Sequence, residues 1–197
     1  MDYKNPTPVA VCLIPVQVHR EIVLLCIIRN NEPAKGLLAF PGGYVEEGET
    51  AQAAAARELL EETGMRTTVD QWTLVDSKTN AKNRMLLFCL FHRALSLSEY
   101  QALVTSFGHN PAEVAGFSLL SEYHLVPPPE PGDRKDFLGF PLHVEAARDF
   151  FNRRRQALER ARNAACAVLE RLADRGDIDE QTQAEMQSEV AQLLHGN

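Results

Sequence analysis

Apolar residues fill two runs near the amino end, Pro8 to Val18 and Glu21 to Arg29, with only His19-Arg20 between them. Val, Ile and Leu at this density favour strands, and so short a polar break favours a tight turn, so the pattern predicts an antiparallel pair. Neither run alternates with polar positions, which suits central strands covered on both faces. Asn30 to Gly36 is polar and reads as a loop, and Leu37 to Phe40 reads as a short strand entering Pro41-Gly42-Gly43. From Thr50 the period changes. Thr50 suits a helix N-cap, alanines occupy 51 and 53 to 56, and Ala51, Ala55 and Leu59 form a stripe at helical spacing. Gly64 falls where a left-handed residue closes a helix.

Further on, Thr68 to Asp76 and Arg84 to Arg93 read as strands around the polar turn Ser77 to Asn83. Ser96 followed by Glu99 is a capping-box pattern and predicts a helix from Leu97 to Ser106, stopping at Gly108; Val114 to Leu120 gives a last strand. Val126-Pro127-Pro128-Pro129-Glu130-Pro131-Gly132 predicts a stiff linker, because each proline restricts itself and its predecessor. After an irregular Asp133 to Leu142, helical spacing runs from Val144 to Asp174 through Phe150, Ala157, Ala161, Ala164, Val168 and Leu172. Arg175-Gly176-Asp177 breaks it, and a second helix follows from Glu180 to Leu194 with Met186, Val190 and Leu194 on one stripe. Neither helix is stable alone in water, so these stripes must pack on each other, on the core, or on another subunit.

With 197 residues and 45% hydrophobic content, the chain suffices for one α/β domain, residues 1–142, and a helical hairpin, residues 143–197. A net charge of −7 argues against nucleic-acid or anionic-membrane partners, which call for basic patches. No basic-then-apolar leader and no apolar run of about 18–20 residues is visible, so the expectation is a cytoplasmic protein that does not span a membrane. The cysteines, Cys12, Cys26, Cys89 and Cys166, are dispersed and three lie in apolar runs, which suits reduced, buried thiols rather than a disulfide framework.

The segment Gly43 to Met65 carries Glu46, Glu47, Glu49, Glu58, Glu61 and Glu62 against a single basic residue, Arg57. On a helix, Glu58, Glu61 and Glu62 stand at i, i+3 and i+4 and so share a face. They are either a solvated face relieved by an Arg57–Glu61 pair, or oxygen ligands for a hard divalent cation such as Mg²⁺, held together with substrate phosphates.

The order Gly43, five residues, Glu49, seven residues, then Arg57-Glu58-Leu59-Leu60-Glu61-Glu62-Thr63-Gly64-Met65 resembles the Nudix box at every fixed position. The resemblance implies an α/β/α sandwich with a mixed sheet, and a hydrolase that cleaves the diphosphate of a nucleoside diphosphate linked to another group. It implies Mg²⁺, with Mn²⁺ a substitute, held by Glu58, Glu61 and Glu62. Glu58, Glu61 and Glu113 are the candidate catalytic groups, Glu113 standing just before the last strand where the family often places a further glutamate. Gly43, Glu49 and Arg57 are read as structural support, with Gly43 present for its backbone conformation. The alternative is a nucleotide-binding regulator that keeps the fold without cleaving. The absence of proline and tyrosine between Arg66 and Arg84 counts against ADP-ribose and diadenosine polyphosphates, and leaves the substrate a small nucleotide-type molecule. The apolar stripes of the tail exceed what such a domain needs, so a homodimer is expected; the alternative is a hairpin folded back on its own sheet that shapes the substrate pocket with His143 and the arginines near it.

Overall fold

In the computed structural model the described residues are 4–106, 108, 110–125 and 137–195. The linker expected at Val126–Gly132 lies outside them, as does the side chain of Leu194. Two compact units are formed, Met1–Arg148 and Asp149–Asn197.

The first unit is built on two sheets. One has the order β5-β1-β7-β6, with β1 Thr7–Leu13, β5 Gly42–Tyr44, β6 Trp72–Thr79 and β7 Arg84–Phe91. It is mixed, because β1 runs parallel to β7 while β5 and β6 are antiparallel to their neighbours. The other centres on β3, Glu21–Arg29. β8, Val114–Leu120, lies along one side of β3; β2, Pro15–Val18, and β4, Leu38–Ala39, follow one another along the opposite side. The first helix, α1, spans Ala51–Thr63 and packs on the mixed sheet; α2, Leu97–Thr105, packs by β2. The core joins both sheets to α1 through Cys12, Ile14, Val16, Leu25, Ala54, Ala55, Leu59, Trp72 and Phe91. This is the α/β sandwich with a mixed sheet, followed by a helical C-terminal region.

One predicted strand is two. The apolar run from Pro8 to Val18 breaks at Ile14, where the chain leaves the mixed sheet for the antiparallel one. Pro15 has no N–H to continue the ladder, and the Ile14 carbonyl accepts the Leu25 N–H at 2.9 Å instead. Only the second piece pairs with β3, through a tight turn at His19-Arg20 in which His19 has φ 53°. The strand expected from Thr68 starts at Trp72, after a 3-10 turn at Val69–Gln71 in which the Gln71 side chain accepts the Thr68 N–H at 3.0 Å. The capping box at Ser96 and the strand Val114–Leu120 are as expected. Cys12, Cys26 and Cys89 are buried free thiols, and Cys166 is half-buried.

α3 runs from Pro141 to Asp174 and α4 from Glu180 to His195. The helix thus opens before Val144, because Pro141 suits a first helical position, and the His143 N–H already donates to the Phe140 carbonyl at 3.0 Å. Gly176, at φ 74°, ends α3, and the Asp179 side chain caps α4 by accepting the Thr182 N–H at 2.7 Å. The buried positions of the α3 part of the second unit are Phe151 and Leu169, with Leu158, Ala165 and Leu172 half-buried. Of the stripe expected to pack on the hairpin, the core or another subunit, Phe150 and Leu172 are half-buried, while Ala157, Ala161, Ala164 and Val168 are exposed in the single chain. The larger side chains set which face turns inward, since alanine has little area to gain from burial.

Candidate active site

α1 positions most of the acidic residues. Its N-terminus is fixed by the Thr50 hydroxyl, which accepts the Ala53 N–H at 3.1 Å, and its C-terminus by Gly64 at φ 76°, whose N–H donates to the Leu60 carbonyl. Ala54, Ala55 and Leu59 turn into the core, which leaves Glu58 and Glu62 at the margin between core and surface and Glu61 outward. Glu62 is 3% exposed. Its Oε2 accepts the Gly42 N–H at 2.9 Å. Burial pushes its carboxyl up to about 8; the charges of Glu58 and Glu113 add to this, while the Gly42 amide and Arg29 oppose it. Burial likewise raises Glu58, against the hydrogen bond from Arg57.

Arg57 ties the cluster together. Its Nε and Nη2 donate to the two Glu49 oxygens, each at 2.9 Å, a fork-on-fork geometry. Nη1 donates to Glu58 Oε1 at 2.8 Å and reaches Glu61 Oε2 at 3.4 Å, and Nη2 also donates to the Tyr44 carbonyl at 2.8 Å. Glu49 in turn accepts the Glu46 N–H at 2.9 Å, so the loop from Tyr44 to Glu49 is drawn onto the helix. The hydrogen bond from Arg57 holds the Glu49 carboxyl below its usual range.

The glycines divide their work differently from expectation. Gly42, at φ 148°, is the one that needs glycine for its backbone, and a Cβ there would run into the Ala10 carbonyl. Gly43 needs room rather than conformation: a Cβ at that position would overlap the Glu58 carboxylate. Glu113 lies in the turn before β8, where its carbonyl accepts the Asn30 N–H at 2.7 Å and its carboxylate accepts from the Asn110 side chain at 3.2 Å. Its charge acts on both Glu58 and Glu62, so the fold brings these three carboxylates into one field. Phe40, Trp72, Phe88 and Phe91 are all buried in the core, and Lys35 is an exposed loop residue.

Among the described residues, no three His, Cys, Asp or Glu side chains stand close enough to hold a metal ion as they are placed. The donor chemistry nevertheless fits a hard divalent cation. Glu58, Glu61, Glu62 and Glu113 offer only oxygen, and the buried pair Glu58 and Glu62 carries a desolvation and repulsion cost that a cation would offset. Glu58 is turned toward Arg57 and Glu62 toward Gly42.

Two participants were not legible beforehand, the Gly42 amide and the Tyr44 carbonyl; His143, expected only to help shape a pocket if the tail folds back, is buried and accepts the Phe40 N–H at Nδ1 at 3.2 Å. Backbone groups leave no mark in a sequence, and a lone histidine after a proline-rich stretch does not name its partner.

The NUDIX domain model matches residues 6–140. This chain belongs to the Nudix family. Within it, a segment of 48 residues is 48% identical to the ADP-ribose pyrophosphatase of Methanocaldococcus jannaschii, covering 24% of this chain and 28% of that protein. A segment of 68 residues is 43% identical to the ADP-sugar pyrophosphatase of Mus musculus, covering 32% of this chain and 30% of that protein. The chain thus matches less than a third of the length of either curated relative. A MutT/nudix family protein from Enterococcus faecalis has the same fold, with a TM-score of 0.56 over 78% of this chain and 63% of that one, at 17% identity.

Proposed function

We propose that this Nudix protein is a divalent-metal-dependent pyrophosphohydrolase whose substrate is an adenosine diphosphate linked to a sugar or sugar-like group. The single observation that carries the reading is the pairing of Glu58 and Glu62, both shielded from solvent and both raised, beside Glu113 and under the Gly42 amide. Such an arrangement is costly for stability alone and is worth keeping where a cation and a polyphosphate meet. The names of the two relatives favour ADP-ribose and ADP-sugars over other nucleotides, against the indication from the Arg66 to Arg84 segment.

Glu58, Glu61 and Glu62 would hold Mg²⁺ or Mn²⁺, with Glu113 able to join them. When bound, such an ion supplies neutralisation of the diphosphate charge and a water of lowered pKa. The protein's own groups supply the rest. Arg57, held by Glu49, keeps the loop from Tyr44 to Glu49 against α1 and orients Glu58. A carboxylate among Glu58, Glu61 and Glu113 takes the proton as water oxygen bonds to phosphorus and the bond to the bridging oxygen breaks, giving AMP and a phosphorylated second fragment. Gly43 leaves the space in which the Glu58 carboxylate sits.

A homodimer belongs to the same proposal. Ala157, Ala161, Ala164 and Val168 form an exposed face whose spacings of four, three and four read the same in both directions. An antiparallel second copy can therefore meet it about a two-fold axis. Among the described residues no helix is long and apolar enough to cross a membrane.

The testing experiment is a panel of ADP-ribose, ADP-sugars, dinucleotides and nucleoside triphosphates with Mg²⁺ or Mn²⁺, with AMP and phosphate products measured. AMP release from ADP-ribose or an ADP-sugar supports the reading; tight binding of these compounds without cleavage would favour the regulator instead.

A further inference from the structure

We infer that His143 is a positioning residue for the acidic site: from the first turn of α3 it fixes the segment Phe40 to Gly42, whose last amide holds Glu62. The inference rests on the reading of Glu62 as a metal ligand. β4 ends at Ala39, paired with Ile27 in the antiparallel sheet, and β5 begins at Gly42, paired with Val11 in the mixed sheet. Phe40 and Pro41 carry the chain from one sheet to the other, and on that step no ladder supplies partners.

Three hydrogen bonds do so instead. The Cys12 N–H donates to the Pro41 carbonyl at 2.8 Å, the Gly42 N–H to Glu62 at 2.9 Å, and the Phe40 N–H to His143 Nδ1 at 3.2 Å. Phe40 and His143 are 2% and 7% exposed, so water is a poor substitute for that last acceptor. An imidazole that accepts at Nδ1 carries its proton on Nε2 and is neutral. Burial, helped by Arg29, keeps it so.

Its orientation is also fixed. The ring stacks on Phe40 at 5.3 Å with an interplanar angle of 13°, lies 5.1 Å from Phe140, and meets Phe88 edge-on at 6.3 Å. Arg29, whose Nε donates to the Pro33 carbonyl, in turn sits 5.2 Å over the Phe140 ring. Residue 143 lies just beyond residue 140, where the family match ends.

The test uses two variants of the full chain with opposite losses. His143→Phe keeps a ring for stacking and removes the acceptor; His143→Asn removes the ring and places an oxygen where Nδ1 stood. Mn²⁺ binding without substrate is read from the free-ion EPR signal, exchange of the Phe40 and Gly42 amides from NMR, and stability from thermal melting. In His143→Phe the Mn²⁺ dissociation constant rises about tenfold, as for loss of an outer-shell hydrogen bond, and both amides exchange faster. His143→Asn, although the less stable of the two because of the cavity it leaves, binds Mn²⁺ nearly as the natural chain does. Affinity that follows melting temperature in both variants, or wild-type affinity and exchange in His143→Phe, overturns the inference. If the natural chain binds no Mn²⁺, the metal reading has failed, and the amide exchange in His143→Phe still decides the role of His143.

Discussion

Removing the Arg57 guanidinium tests the scaffold of the site most severely. Arg57→Ala deletes the forked pair with Glu49, the bond to Glu58 and the bond to the Tyr44 carbonyl, and leaves all three acceptors facing one another. Stranding the partner of a fully buried ion pair costs about 3–5 kcal/mol, and a single hydrogen bond to a charged group is worth about 1.5–3 kcal/mol. The Arg57 and Glu49 side chains are 23% and 19% exposed, so water partly rescues the orphaned carboxylate and the low end of the range applies. A loss of about 3 kcal/mol lowers the melting temperature of a domain this size by about 6–12 °C.

The assay is thermal denaturation at neutral pH and low salt, with Arg57→Lys alongside; lysine keeps the charge and loses the fork, and should fall between. The pH dependence adds a second check. Glu49 is held below its ordinary value by Arg57, so its contribution is present above its unfolded value, near about 4.3, and is lost as pH falls through the lower folded value. The gap between natural chain and Arg57→Ala must therefore narrow in acid. A melting temperature unchanged at neutral pH, or a gap that widens on acidification, refutes the reasoning.

Glu62→Gln keeps an oxygen to accept the Gly42 N–H and so should keep the fold, while Mn²⁺ affinity measured by EPR falls tenfold or more, about the loss seen when metal-site support is removed; unaltered affinity removes Glu62 from the ligand set. The folded His143 is held down to about 3 against an ordinary 6.5, so the unfolded chain takes up that proton first and stability falls as pH drops below 6.5. Relative to His143→Phe, urea denaturation should show the natural chain losing about 2 kcal/mol between pH 7 and pH 5; a constant difference across that range contradicts the buried neutral assignment. Ala161→Glu places a charge at the middle of the proposed dimer face and should give monomers by light scattering, whereas a natural chain that is already monomeric rejects the dimer.

Local signals proved the most legible. Thr50, Gly64 and Ser96 announce helix ends because capping depends on side chains a few residues apart, and the spacing of Glu58, Glu61 and Glu62 places them on one face for the same reason. Sheet membership was not legible. The run from Pro8 to Val18 is apolar throughout, and an apolar run tells that a strand is covered but not which sheet covers it, so the break at Ile14 escaped. The same limit separates Gly42 from Gly43: adjacent glycines look alike until the Ala10 carbonyl and the Glu58 carboxylate are in place on either side. In α3 the alanine stripe and the leucine positions are both helical in spacing, and only packing decides that Leu169 turns inward while Val168 stays 53% exposed. His143 is the extreme case, since its partner Phe40 lies 103 residues away.

The most direct test of the central claim is the release of AMP from ADP-ribose by the purified full-length chain, measured with and without Mg²⁺ and repeated with Glu62→Gln. The reading predicts AMP and ribose phosphate in equal amounts, formed only when Mg²⁺ or Mn²⁺ is supplied, and formed at least about tenfold more slowly by the variant. No AMP from ADP-ribose or any ADP-sugar with either metal, or cleavage that Glu62→Gln leaves untouched, would contradict it.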